Sequence, residues 1–225
     1  MLRKSLATLP PTLDQTYDRI LCAIDENDSE YAVRILRWLA FSTRPLLVEE
    51  ISEVVAIDPE RDPAFDRQEA LEDPLDVLNI CSSLVTIAPL EQSFLQMKRG
   101  SVSTRKVVLL AHYSVKEYLI SARCRQDLYR MQNPACNEFI AKCCLKYLLQ
   151  FQSSASFTDE SIEESKLARY SAEFWATHVR EASHKAEALN RLAMKLFLTG
   201  NDAYLIGFGY MIQTSLGKAL ILSGN

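Results

Sequence analysis

The stretch that decides the fold is RILRWLAFSTRPLLVEEISEVVAI, residues 34–57. Its first part completes an apolar stripe at helical spacing, formed by Ala32, Ile35, Leu36, Leu39 and Ala40. That helix is predicted to end before Pro45, because proline pushes the preceding residue out of the helical region. A second stripe follows directly, formed by Leu47, Ile51, Val54 and Val55. Two helices joined by a turn of about four residues are typical of a helix-turn-helix.

The flanks of this stretch extend the pattern to a winged helix. Upstream, apolar residues from Leu13 to Ile24 recur at helical spacing and predict a first helix. Downstream, the β-branched run at residues 84–88 is bounded by Pro89 and predicts a strand, with residues 107–111 as its partner. Three helices followed by a β-hairpin with a protruding loop are the order of a winged helix.

The second half of the chain is predicted to be a helical bundle. Three further apolar stripes at helical spacing lie between Phe139 and Phe197, and a Ser-rich linker separates the first two. We therefore predict a mainly α protein, with a winged helix over residues 10–121 followed by an α-helical domain over residues 134–213. The ends, residues 1–9 and 214–225, give no clear pattern.

The charge pattern argues against nucleic acid as the partner. The 225 residues carry 25 Lys and Arg against 29 Asp and Glu, a net charge of −4, where a nucleic-acid binder usually shows a basic excess. Residues 42–94 hold 12 acidic and 3 basic residues, whereas residues 95–130 hold 8 basic and 2 acidic ones. This separation suits contacts between protein modules better than a phosphate groove.

No catalytic, cofactor-binding or metal-ligating set is predicted. The Gly-Lys pair at residues 217–218 lacks the rest of a P-loop, and no nucleophile elbow or C-x-x-C pair is present. His112, at a strand end, is expected to be a packed, hydrogen-bonded residue. His178, on a helix, is expected at the edge of the core, and His184 lacks the spacing of a metal pair. The six cysteines are expected to be reduced thiols. With no apolar run of the ~18 residues that a membrane span needs and no signal peptide, we expect a cytoplasmic, non-enzymatic protein.

The third helix would be the groove-reading element of a DNA-binding winged helix. With its apolar stripe facing the core, we expect Glu49, Glu50, Ser52 and Glu53 to face outward. These carboxylates would be repelled by DNA, which carries one charge per ~1.7 Å of its axis. A protein surface is the favoured partner, with a stand-alone nucleic-acid binder as the alternative. The candidate protein-contact residues are Glu49, Glu50, Glu53, Lys98, Arg99, Arg105 and Lys106.

Six segments together resemble a known family. They are LPPTLDQTYDRIL (residues 9–21), residues 34–57 quoted above, ICSSLVTI (80–87), LLAHYSVKEYLIS (109–121), residues 139–151 and YSAEFWATHV (170–179). The first four resemble the winged-helix region named after GPI inositol-deacylase. This region follows the NACHT nucleoside-triphosphatase domain in many fungal NACHT–ankyrin proteins of the NOD-like receptor type, and the last two resemble the helical segment after it.

The resemblance implies a regulatory role without chemistry of its own. In such signalling NTPases of the STAND class, the winged helix packs on the nucleotide-binding domain, helps to hold the ADP state and moves as a unit when ATP drives oligomerisation. The implied partners are therefore a NACHT domain and ankyrin repeats, with no cofactor, metal or membrane. Neither domain is recognisable in this sequence, so we expect a piece of a longer protein, a truncated gene product, or a module that acts in trans.

Overall fold

The computed structural model describes residues 11–90, 105–152, 164–182 and 187–197. Lys98, Arg99, His184, both predicted ends and the Ser-rich linker from residue 153 lie outside the described residues. The chain forms two compact units, each described separately below. The first comprises Met1–Val55 and Leu71–Gln132, and the second comprises Ala56–Ala70 and Asn133–Asn225.

The first unit has the element order of a winged helix. Short 3-10 turns at Glu26–Asp28, Pro74–Asp76, Ser82–Leu84 and Asp127–Tyr129 connect its helices and strands. In chain order the elements are α1 (Pro11–Cys22), α2 (Ser29–Phe41), β1 (Leu46–Leu47), α3 (Val48–Val55), α4 (Val77–Cys81), β2 (Val85–Pro89), β3 (Lys106–Leu110) and α5 (Tyr113–Leu119).

A three-stranded antiparallel sheet closes this unit, with the order β1-β3-β2. β2 and β3 form the predicted hairpin, in which Val85 pairs with Leu110 and Pro89 with Lys106. β1 was not predicted, because it is only two residues long and lies inside the apolar run that leads into α3. It pairs Leu46 with Val108, so the start of α3 is attached to the sheet.

The core of the first unit contains the predicted apolar stripes. Ile35, Leu36 and Ile51 are fully buried, and Leu46 joins them from β1. Trp38, which lies off the main stripe of α2, is also fully buried, so this helix is covered on more than one side.

The second unit is helical. Its helices are α6 (Asn133–Leu149), α7 (Ala168–Glu181) and α8 (Glu187–Phe197), with 3-10 turns at Arg67–Glu69 and Gln150–Gln152. α6 packs against both α7 and α8. Cys143 and Leu145 are two residues apart and therefore lie on opposite sides of α6, and both are buried, as is Ile140. A helix covered on several faces is a central helix, whereas its sequence was interpreted as carrying one apolar stripe.

The predicted fold class is confirmed: a winged helix is followed by a bundle of helices. One feature differs from the predicted organisation. Residues 56–70, which the predicted winged helix over residues 10–121 includes, group with the helical unit.

Candidate protein-contact surfaces of the winged helix

The start of α3 is fixed by a carboxylate that the sequence analysis placed on the surface. Glu50 is 2% exposed and receives two hydrogen bonds from the Arg44 guanidinium, Nη1 to Oε2 at 2.8 Å and Nη2 to Oε1 at 2.6 Å. The backbone N–H of Leu47 donates to the same Oε2 at 2.8 Å. Leu47 precedes the helix, so Glu50 occupies the third helical position and satisfies a backbone donor at the helix N-terminus, as the acid of a capping box does.

The predicted outward face of α3 is therefore wrong for most of its members. Seven of its eight residues are buried, including Ser52 and Glu53, and only Glu49 is exposed. The physical reason is that the helix is covered on a second side by its own unit. The Leu71 N–H donates to the Ser52 carbonyl at 3.4 Å, and the Pro74–Asp76 turn contacts the helix. The helix therefore does not expose three carboxylates that would repel DNA.

The loop end of the hairpin carries the described part of the basic surface. Arg105 and Lys106 are both exposed, and the Arg105 carbonyl accepts a hydrogen bond from the Leu90 N–H at 2.7 Å. Lys106 is the first residue of β3 and Arg105 directly precedes it, next to the predicted loop. Glu49, Arg105 and Lys106 are the predicted contact residues that the structure places on the surface.

His112 caps a helix. It is exposed rather than packed, and its Nδ1 lies 2.6 Å from the Ser114 hydroxyl and accepts from the Ser114 N–H at 3.2 Å. Ser114 is 3% exposed, and its hydroxyl also bonds the Tyr17 hydroxyl at 2.6 Å. This makes His112 the N-cap of α5.

His178 is buried in the helical unit, more deeply than the core-edge position expected of it. Its Nδ1 lies 2.7 Å from Asn137 Oδ1, and its Nε2 lies 2.9 Å from the Tyr170 hydroxyl. Because an amide oxygen can only accept, Nδ1 carries the proton and Nε2 accepts from Tyr170. Burial lowers the pKa of His178 to about 4, so the ring is neutral at pH 7. No local pattern indicates Asn137 as its partner, since the two residues lie on different helices.

A charged cluster joins α1 to the segment that follows α5. Asp14 pairs with Arg123 at 3.3 Å and Asp18 with Arg125 at 3.6 Å, beside a small cavity of about 250 Å³. The Tyr118 hydroxyl donates to Asp18. Burial raises the pKa of Tyr118 above its ordinary value, and the hydrogen bond to Asp18 is the second cause of this shift. Acids and bases balance in this cluster, which suits internal packing of the winged helix. This cluster was not predicted, because its paired residues are about one hundred positions apart in the chain.

A larger cleft, of about 490 Å³, lies in the first unit between the end of α1 and the end of α4. Its lining combines the apolar side chains of Ile20, Ile24 and Ile80 with the charged side chains of Arg19, Asp25 and Asp28. This mixed lining selects no single ligand chemistry. Among the described residues, no group of three or more His, Cys, Asp or Glu could hold a metal ion.

Comparison with known proteins gives the family. The model for the winged helix domain of GPI inositol-deacylase matches residues 17–131, about half of the chain. The chain belongs to this winged-helix family. The match begins within α1 and ends at Met131, after α5, so it covers the helices and hairpin described above.

A curated relative extends the similarity into the helical unit. The chain is 35% identical over 204 residues to the azaphilone pigments biosynthesis cluster protein L of Monascus ruber. The aligned part is 89% of this chain but 41% of that protein, so the chain spans less than half of its relative. No solved structure matches the chain. In the parts of the chain that the structure describes, no helix is long and apolar enough to span a bilayer.

Proposed function

We propose that this chain is a non-enzymatic regulatory module of a NACHT-type signalling NTPase. In this proposal, the winged helix and the helices after it mediate protein contacts between the NTPase domain and ankyrin repeats. The observation that carries it is the burial of α3, in which seven of eight residues are inaccessible.

Burial of α3 bears on function because of the way winged helices read DNA. The third helix normally enters the major groove and needs several exposed polar side chains to reach the base edges. Here Glu49 is the one exposed residue of α3, and its carboxylate opposes phosphates. The buried α3 thus leaves no base-reading surface, which counts against the nucleic-acid alternative and favours a module that acts through protein contacts.

The choice of partner comes from the family resemblance and from the length of the curated relative. The NACHT and ankyrin context is the one in which this winged-helix region is found in the resembling fungal proteins. The relative from Monascus ruber is more than twice as long as the part that aligns, which is consistent with a module that works within a longer polypeptide. We also propose a cytoplasmic location, where six free cysteines such as these stay reduced.

The test is an effect on nucleotide retention. The chain would be added to the purified NACHT domain of a fungal NACHT–ankyrin protein of this family, loaded with fluorescent ADP. We expect slower ADP release, with saturation as the chain is titrated. The same release rate at every concentration of the chain, together with no binding by calorimetry, would refute the proposal.

Charge reversals then locate the contact surface. Arg105→Glu with Lys106→Glu, and separately Glu49→Lys, are expected to weaken binding, because all three side chains are exposed. Arg19→Glu and Glu26→Lys are matched controls, since they reverse exposed charges elsewhere on the same unit. Glu50 is left unchanged here because its replacement would test folding and not docking.

The alternative, a stand-alone nucleic-acid binder, is tested in parallel by fluorescence anisotropy with a labelled DNA duplex. At a low salt concentration of roughly 50 mM, we expect only weak, sequence-independent binding through Arg105 and Lys106. Tight retention that discriminates between duplex sequences would favour the alternative over the regulatory module.

A further inference from the structure

Residues 56–70, named the strap below, lie within the winged helix in sequence but group with the helical unit. They separate α3 from the turn before α4. Both ends continue directly into the first unit. Val55, the last residue of α3, precedes the strap, and Leu71, which follows it, donates its N–H to the Ser52 carbonyl in α3. The strap therefore leaves α3 and returns to α3.

The strap is closed by its own contacts. Ile57 and Phe65 form a β-bridge, and the Asp58 N–H donates to the Ala64 carbonyl at 2.8 Å. The Arg61 guanidinium makes two hydrogen bonds to the Glu69 carboxylate, each at 2.6 Å. These hydrogen bonds join distant residues of the strap, so the strap is a folded segment and not an extended linker.

Three different contacts hold the strap on α6. The Phe65 ring packs edge-on against Tyr147, with centroids 5.0 Å apart. The Lys146 ammonium donates to the Arg61 carbonyl at 3.1 Å, and the Lys142 ammonium lies 3.5 Å from the Glu60 carboxylate. Aromatic packing, a hydrogen bond to a backbone carbonyl and an ion pair thus all join the strap to α6.

We propose that the strap couples α3 of the winged helix to α6 of the helical unit. A change in the packing of α6 would move the strap as a body, and the strap would transmit that change to α3 through Val55 and Leu71. The inference concerns the chain alone and does not depend on its proposed NTPase partner.

Hydrogen exchange of the full chain can measure this coupling as a double-mutant cycle. Leu189→Ala removes a side chain that is 1% exposed in α8, which packs on α6, and so perturbs the helical unit without touching the strap. Phe65→Ala loosens the strap itself. We expect Leu189→Ala to raise exchange of the α3 amides at least about threefold in the otherwise native chain, and to have little further effect beside Phe65→Ala, since coupled sites are non-additive.

The amides of α5, which the strap does not join, are the internal control. An equal rise in α3 and α5, or the same rise in α3 with and without Phe65, would overturn the proposal. If Phe65→Ala does not fold, as judged by circular dichroism, Lys142→Gln with Lys146→Gln replaces it, because this pair removes only the polar contacts. The same two results would then overturn the proposal.

Discussion

Replacement of Glu50 is expected to destabilise the winged helix, although an adjacent glutamate can be replaced freely. The Glu50→Ala variant removes a buried carboxylate that receives two hydrogen bonds from Arg44 and one from the Leu47 N–H. It leaves the guanidinium without this partner and an unsatisfied N–H at the start of α3. Breaking a buried ion pair by removing one partner costs on the order of 3 kcal/mol, whereas a surface substitution such as Glu49→Ala stays within about 0.5 kcal/mol.

The assay is urea unfolding followed by circular dichroism, with Glu49→Ala as the matched control. Glu50→Gln is the second variant, because its amide oxygen can still accept from the Leu47 N–H, and we expect it to recover part of the loss. A cycle with Arg44→Ala should give a coupling energy of about 1 to 3 kcal/mol, since the two residues are in direct contact. Equal stability of the Glu49 and Glu50 variants would refute the assignment of Glu50 as a buried cap.

Three further predictions follow from single side chains. Because the pKa of His178 is lowered to about 4, the unfolded chain binds a proton that the folded chain excludes, so between pH 6.5 and 4 unfolding should become easier by up to ~3 kcal/mol. Urea titrations should show this loss for the native chain and a shallower one for His178→Asn; identical pH profiles would contradict it. Ser82, at φ 51°, has the backbone of a glycine, so Ser82→Gly should raise the free energy of unfolding by about 1 kcal/mol and Ser83→Gly should not; the reverse order would disprove the strain. Iodoacetamide should label exposed Cys22 in the native chain and spare Cys144, whose pKa burial raises to about 12; mass spectrometry showing rapid Cys144 labelling would be the contrary result.

The elements of the winged helix could be predicted because their signals are local. The apolar stripe of α2 and the proline that predicts its end, Pro45, are close together in the sequence. The structure ends α2 at Phe41, shortly before that proline. The hairpin came from β-branched composition, and its strands differ from the predicted ones by one residue at each end. Such patterns depend on neighbours a few residues away, which the sequence displays directly.

The candidate site was less predictable, because exposure is a property of the assembled unit. A helical period identifies one face of α3 that must be buried, but it does not say whether the other faces are covered as well. Glu50 and Glu53 were assigned to the surface on that assumption, and both are buried. The one local clue was the position of Glu50 three residues after Leu47, the spacing of a capping box that lacks its usual Ser or Thr.

Helix and strand positions, the winged-helix order and the family are thus encoded in the linear pattern of apolar, β-branched and proline residues. Three-dimensional packing alone decided that Glu50 is a cap, that His178 bonds Asn137, and that residues 56–70 pack with the helical unit. The reason is that such contacts join residues that are distant in the chain or depend on how many elements surround a helix. The period of apolar residues identifies one buried face of a helix. Whether its other faces are buried as well depends on the elements packed around it, which only the tertiary structure shows.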